Sequence, residues 1–356
     1  MVSRLLLLSA FSDFFPDVLC PNGLKNPPAN YYVGSCFFNS ITSAPHGGVI
    51  SMTLDPLHFV VENVVFYYCR HSSSAGYGGC IYFYSTSGAY AFSKVCANRC
   101  YAGATSGDNR GMFAHCTTYR NHTWDQVTMF QCPEVIKFST QKGVVDILYG
   151  IRRISSINIT GNKVHQAAGF RICYQNDGGS NMTFLTFAYN TANDYGIWFE
   201  SQTGVWRISY SNFISNQVSG SGVIYSTDLT YIENSVLSDN RETLFYGQVS
   251  VLNCHIYHTK KLLEGAVTIA GVILATNPNI STFELRYFET AFCIIPTPAP
   301  TLEPTINQLG LWTPAQTLPP LPTECIFSEN AQKIGSISYI LGYLLTNSIF
   351  ITLVHY

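Results

Sequence analysis

Four segments of this chain repeat one short pattern at a slowly shrinking interval. An apolar residue, two variable residues and Asn lead to Gly or a small residue and then to further apolar side chains. Ile159-Thr160-Gly161-Asn162 leads to Gly169-Phe170, Phe187-Ala188-Tyr189-Asn190 to Gly196-Ile197-Trp198, and Phe213-Ile214-Ser215-Asn216 to Gly222-Val223-Ile224-Tyr225. Leu237-Ser238-Asp239-Asn240 leads to Leu244-Phe245-Tyr246. The anchors Ile159, Phe187, Phe213 and Leu237 are 28, 26 and 24 residues apart, a solenoid period. Earlier segments carry the pattern with Cys as an alternative: Phe66-Tyr67-Tyr68-Cys69 leads to Gly78-Gly79-Cys80-Ile81-Tyr82, and Val95-Cys96-Ala97-Asn98 to Gly111-Met112-Phe113.

Clusters such as Asn176-Asp177-Gly178-Gly179 break the intervals too often for long helices. Leucine-rich repeats share the period but need several spaced leucines per unit, which are missing. A right-handed parallel β-helix meets both conditions. The apolar residue points inward and stacks on its counterparts, Asn bonds between turns and tolerates a left-handed backbone at the corner, and Gly permits the tight bend. Composition agrees: charged residues are only 11%, too few to solvate helix surfaces, whereas 14% aromatics suit strand faces. The expected organisation is a signal peptide over 1–12 and a Cys-containing N-terminal cap over 13–59. The β-helix repeats follow over 60–263, then a C-terminal cap over 264–295, a Pro/Thr-rich linker over 296–333 and an apolar tail over 334–356.

The two ends point to secretion. Arg4 precedes Leu5 to Leu8, and Ala10-Phe11-Ser12 has the small-x-small form of a cleavage site. Residues Pro296 to Thr323 hold eight of the 16 prolines, so the stretch reads as an extended stalk. From Ile334 to Tyr356 there is no charged side chain, and the run is long enough to cross a bilayer. Lys333 lies before it and no Lys or Arg follows, so a retained transmembrane helix and a removed lipid-anchor signal both stay open. The membrane is therefore an expected partner through this tail. Eight of the 12 cysteines lie between Cys20 and Cys132, a density that secreted chains use for disulfides. No paired CxxC or HxxxH completes a zinc site, so neither metal nor cofactor is expected. Net charge is -2 with no basic cluster, which sets nucleic acid aside.

At Gly78-Gly79-Cys80-Ile81 and the Phe-x-x-Asn segments at Phe187 and Phe213, the chain resembles the GGA(I/V/L) and FxxN repeats of the polymorphic membrane protein family. That family is known from chlamydial autotransporters and from β-helix surface proteins of trichomonad-type protozoa. The layout is most similar to the protozoan set, with a Cys-rich first half, a repeat body, a Thr/Pro-rich segment and an apolar end. It departs in having one full GG-x-I, with Cys at the third position, and no C-terminal membrane barrel. The resemblance implies an extracellular ectodomain at the cell surface, suspected of adhesion to a host-cell or extracellular glycan or protein ligand.

Catalysis is the competing reading, because β-helices also house polysaccharide lyases and hydrolases. Hydrolysis there needs clustered carboxylates, and the chain has no Asp-Asp pair and no Gly-His-Gly. Arg153-Ile154, Arg171-Ile172 and Arg207-Ile208 lack a following Lys, and Asp177, Asp194, Asp228 and Asp239 stand isolated among turn residues. His46, His115, His122, His165 and His255 share no spacing with a nucleophile. Trp124, Trp198 and Trp206 are candidates either to stack on sugar rings or to pack inward. Asn121, Asn158, Asn181 and Asn279 are candidate N-glycosylation sites. The expectation is a non-enzymatic cell-surface β-helix protein for adhesion. A structural coat component is the alternative, and a pectin-lyase-like enzyme the second alternative.

Overall fold

The chain is a right-handed parallel β-helix, seen in a computed structural model that describes residues 24–25, 31–34, 36–44, 46–53, 58–103, 107–136, 141–174, 180–200, 204–257 and 263–274. No helix occurs among them, and every strand pairing is parallel. The signal peptide at 1–12, the linker at 296–333 and the tail at 334–356 lie outside the described residues, as do Asn279 and Asp177. Among the described residues no helix is long and apolar enough to cross a membrane. Stacked strands run from Leu24–Lys25 to Ile273–Leu274, so layers already form within the segment expected to be the N-terminal cap and continue into the C-terminal one.

The repeat anchors fall into one interior file. Phe38 pairs with Phe66, Phe66 with Ala97, Ala97 with Met129, and Met129 with Ile159. The file continues through Phe187, Phe213, Leu237 and Ile256. All of these are buried, and the Phe187 and Phe213 rings lie 6.3 Å apart. Because parallel strands stack at about 4.8 Å, one inward residue per layer suffices for a continuous core.

Each layer bends once at a left-handed residue three positions before its anchor, within one strand from Asn63 to Phe184 and between two strands from Tyr210 to Asn253. Asn63, Lys94, Gln126, Ser156, Phe184, Tyr210, Asn234 and Asn253 occupy this place with φ of 48–57°. The bend resets the inward–outward alternation, so buried apolar residues on its two sides are three apart, not two. Phe92 and Val95, Trp124 and Val127, Ile154 and Ile157, and Met182 and Leu185 are such pairs. Simple strand alternation in the sequence breaks there for this reason.

The third position after each anchor forms a buried ladder. Asn162, Asn190, Asn216 and Asn240 each accept, at Oδ1, the backbone N–H of the preceding layer, over 2.6–3.1 Å. Each Nδ2 donates back to an anchor carbonyl: Asn162 to Met129, Asn190 to Ile159, Asn216 to Phe187 and Asn240 to Phe213. In the earlier layers Cys69, Cys100 and Cys132 take the same place. Cys69 Sγ–H donates to Phe38 O at 3.3 Å and Cys100 Sγ–H to Phe66 O at 3.5 Å, while the Cys100 N–H donates to Cys132 Sγ at 3.3 Å.

Two corrections follow from the ladder. The early repeat is Ala97-Asn98-Arg99-Cys100, two residues beyond the expected Val95-Cys96-Ala97-Asn98, since Ala97 and not Val95 stacks on Phe66. The left-handed residue is the one before the ladder position, not Asn itself. Tyr68, Arg99, Gln131, Gly161, Tyr189, Ser215 and Asp239 hold it, with φ of 51–67°.

Gly78-Gly79 is required by close backbone approach: Gly78 has φ of 69°, and a Cβ on Gly79 would sit 2.0 Å from Met112 O. Among the described residues, most cysteines of the expected disulfide framework are buried free thiols instead. Cys96 is disulfide-bonded, whereas Cys36, Cys69, Cys80, Cys100, Cys116, Cys132, Cys173 and Cys254 are free and buried. Their density reflects thiols that fill and bond the interior.

Candidate binding face

A second stack of strands, Ile81–Tyr84, Ala114–Thr117, Val145–Leu148, Phe170–Cys173 and Tyr195–Glu200, turns one residue of each layer outward in register. The file runs Tyr82, His115, Asp146, Arg171, Trp198, Tyr225 and Tyr246. It places residues 21 to 33 positions apart in sequence side by side, one layer from the next.

The middle of the file is ionic. Asp146 is fully buried; one carboxylate oxygen lies 2.9 Å from His115 Nδ1 and the other accepts from Arg171 Nη1 at 2.9 Å. Burial alone would raise this carboxyl, but His115, Arg171 and Arg110 outweigh it and hold it below the usual carboxylate range. Arg171 also reaches Glu200 at 4.0 Å, and Cys173 Sγ–H donates to the same carboxylate at 3.3 Å. Beside the file, Asp108 pairs with Arg110 at 2.7 Å and Lys142 at 3.0 Å. Opposite charges are therefore matched within the face.

Aromatic rings flank the ionic centre. Tyr77 and Tyr82 stack on His115 at 5.0 and 5.5 Å, with interplanar angles of 22 and 17°. On the other side Arg171 covers Trp198 at 4.8 Å, Trp198 meets Tyr225 edge-on at 6.2 Å, and Tyr225 stacks on Tyr246 at 5.3 Å. Neighbouring rings in the file pack against one another, stacked at His115 and at Tyr246 and edge to face where Trp198 meets Tyr225. Such a file offers no flat platform for a sugar ring, and Trp124 and Trp206 are wholly interior.

A column of tyrosines, half-buried at Tyr149 and exposed at Tyr119 and Tyr174, borders the face where these strands end. Tyr119 and Tyr149 rings are 4.3 Å apart, and Tyr149 and Tyr174 are 5.4 Å apart and stacked. Tyr84 is exposed one layer earlier, and Tyr119 and Tyr174 are 46% and 41% exposed. Tyr149 and Tyr174 sit at left-handed φ of 61 and 54°. A bulky side chain in that conformation costs about 1–2 kcal/mol relative to Gly or Asn.

Asp146, held below the usual carboxylate range between His115 and Arg171, is ionised and cannot act as an acid near neutral pH. Burial pushes the Cys173 and Cys116 thiols far up, away from the thiolate a nucleophile needs.

Of the residues singled out from sequence, His115 joins the face and His46 stacks on Tyr77 at 4.8 Å beside it. His122 is interior, His255 is exposed in another layer, and Asp194 lies 3.8 Å from His165. Asp228 lies at the irregularity within the strand Gly222–Glu233 and Asp239 at a left-handed corner, and neither joins a carboxylate pair among the described residues. Asn121 and Asn181 are exposed, while Asn158 is half-buried and accepts from the Thr160 hydroxyl. Sequence reasoning missed Asp146, Arg171 and Glu200. Counting two to four residues onward from Gly111, Gly143, Gly169 and Gly196 reaches His115, Asp146, Arg171 and Trp198, a signal that was available. No family model, no curated protein and no solved structure matches the chain.

Proposed function

We propose that this protein is a non-enzymatic β-helix that displays the face from Tyr82 to Tyr246, with its tyrosine border, to a protein ligand at a cell surface. One observation carries the reading: half-buried Tyr149 and exposed Tyr174 occupy strained left-handed corners where Gly or Asn would be cheaper. Stiff tyrosines contact protein with little loss of rotamer freedom, and tyrosine is enriched where proteins meet. The ring-on-ring packing of the file favours a protein over a stacked glycan, and the matched charges disfavour a strongly charged ligand. The expected leader, stalk and apolar tail supply the extracellular setting.

The test is binding of labelled protein to host or neighbouring cells, with and without protease treatment of those cells. Tyr119, Tyr149 and Tyr174, replaced together by Ser, should lower binding at least tenfold without lowering the melting temperature. Protease-insensitive or undiminished binding refutes the reading. Unaltered cell binding with turnover in a glycan-degradation panel would favour the enzyme alternative.

A further inference from the structure

The tyrosine border brings two phenols from successive layers into contact. Tyr119 follows the strand Ala114–Thr117 and Tyr149 follows Val145–Leu148, and these strands pair in parallel register. The two corners press together: the Thr118 N–H donates to Leu148 O at 3.2 Å, and a Cβ on Gly150 would sit 2.3 Å from Arg120 O. On this backbone the two rings stand 4.3 Å apart at an interplanar angle of 35°, the shortest separation of any tyrosine pair among the described residues. Tyr195 and Tyr225, next at 4.6 Å, are both half-buried, whereas Tyr119 is 46% exposed.

Desolvation, and then the Tyr149 phenol beside it, push the Tyr119 hydroxyl above its ordinary range, so Tyr119 stays a phenol at neutral pH. A phenol that loses one electron and one proton becomes a phenoxyl radical, with much of its spin on the ring carbons ortho to oxygen. The free cysteines are all buried, so among the described residues no exposed thiol offers such a radical a hydrogen atom. A second phenol held 4.3 Å away is the partner at hand. Held in place, it competes at an effective concentration far above that of any second molecule in solution.

We infer that Tyr119 and Tyr149 are the site of an oxidative cross-link, a dityrosine, formed when a haem peroxidase supplied with hydrogen peroxide acts on this border. Each phenol gives up one electron and one proton, and the two radicals join through one ortho carbon of each ring. The hydrogen on each joined carbon then moves to its ring oxygen, which restores both phenols. The two electrons and two protons removed reduce one hydrogen peroxide to two waters. The new bond clamps the layer of Ala114–Thr117 to that of Val145–Leu148 across 30 positions of chain, and so resists unwinding of the solenoid there. Tyr174, 5.4 Å further along the stack, is left exposed. The cross-link needs no ligand on the face and stands apart from what the face binds.

The test treats dilute, folded full-length protein with a haem peroxidase and hydrogen peroxide, then digests it with trypsin. Residues 111–120 and 143–152 form two tryptic peptides with one tyrosine each. Their joined product, lighter than the sum of the two by two hydrogen atoms, therefore reports this pair alone. It should be the most abundant cross-linked product and should appear together with dityrosine fluorescence. Tyr119→Phe and Tyr149→Phe, which keep the rings and remove the phenols, should each abolish it. A folded wild type that yields no such product, or that couples other tyrosines in preference to this pair, overturns the site. If a variant does not fold, the wild-type digest decides alone.

Discussion

Replacing Asn216 by Ala probes the ladder at a single rung. Asn216 Oδ1 accepts both the backbone N–H of Asn190, at 3.0 Å, and its Nδ2, at 3.1 Å; Asn216 Nδ2 donates to Phe187 O and to Asn240 Oδ1, each at 2.8 Å. All of these groups are buried. Alanine would strand two donors of Asn190 and withdraw one donor from Phe187 O. At about 1–3 kcal/mol for each buried donor left unmet, the loss is about 4 kcal/mol. Asn216→Cys should cost clearly less, about 2 kcal/mol, because a thiol there can donate to Phe187 O as Cys100 donates to Phe66 O, and can accept an N–H as Cys132 does. Urea or thermal unfolding followed by circular dichroism measures both variants. Equal destabilisation by Ala and Cys would refute the equivalence of thiol and amide in this ladder.

Three further outcomes are expected. Tyr189→Asn, at an exposed left-handed corner (φ 56°, 62% exposed), should stabilise the protein by about 1 kcal/mol; a fall in melting temperature counts against strain there. Asp146→Asn should lower stability at neutral pH by about 3 kcal/mol, since it leaves Arg171 with half its partner. Because the folded-state pKa of Asp146 is depressed, its contribution is present above the ordinary carboxylate range and is lost as pH falls through the folded value. The gap between variant and wild type should therefore narrow in acid, and a gap constant with pH refutes the assignment. A thiol reagent should find the eight free cysteines unreactive in the native protein and reactive after denaturation without reductant; fewer than eight would mean that the interior sulfurs are paired.

The fold was legible in sequence wherever the anchor residue is large and the ladder residue is Asn. Ile159, Phe187, Phe213 and Leu237 were identified from spacing alone and occupy one interior file. Legibility failed one layer earlier. Ala97 is small enough that the neighbouring Val95 looked like the anchor, and Asn98 stood where a ladder Asn was expected; Met129-Phe130-Gln131-Cys132 passed unnoticed for the same reason. The left-handed residue was assigned to Asn on conformational preference, but the ladder bonds need Asn inside and the turn one residue before it. The ionic centre of the face was hidden for a different reason. His115, Asp146 and Arg171 come from three layers, and strand register alone makes them neighbours.

The ladder also makes the length of this protein a quantised quantity. Between Tyr189 and Ser215, two left-handed corner residues, lie the 26 positions that separate Phe187 from Phe213. Excising residues 189–214 would join Ala188 to Ser215 and set Phe187 three positions before Asn216, in the same spacing and with the same corner. The rod would be one step shorter and otherwise continuous. Duplicating the same stretch would add a step. Change in such a gene can proceed by whole storeys, with reach and the number of outward tyrosines altered together while each surviving contact finds an equivalent partner.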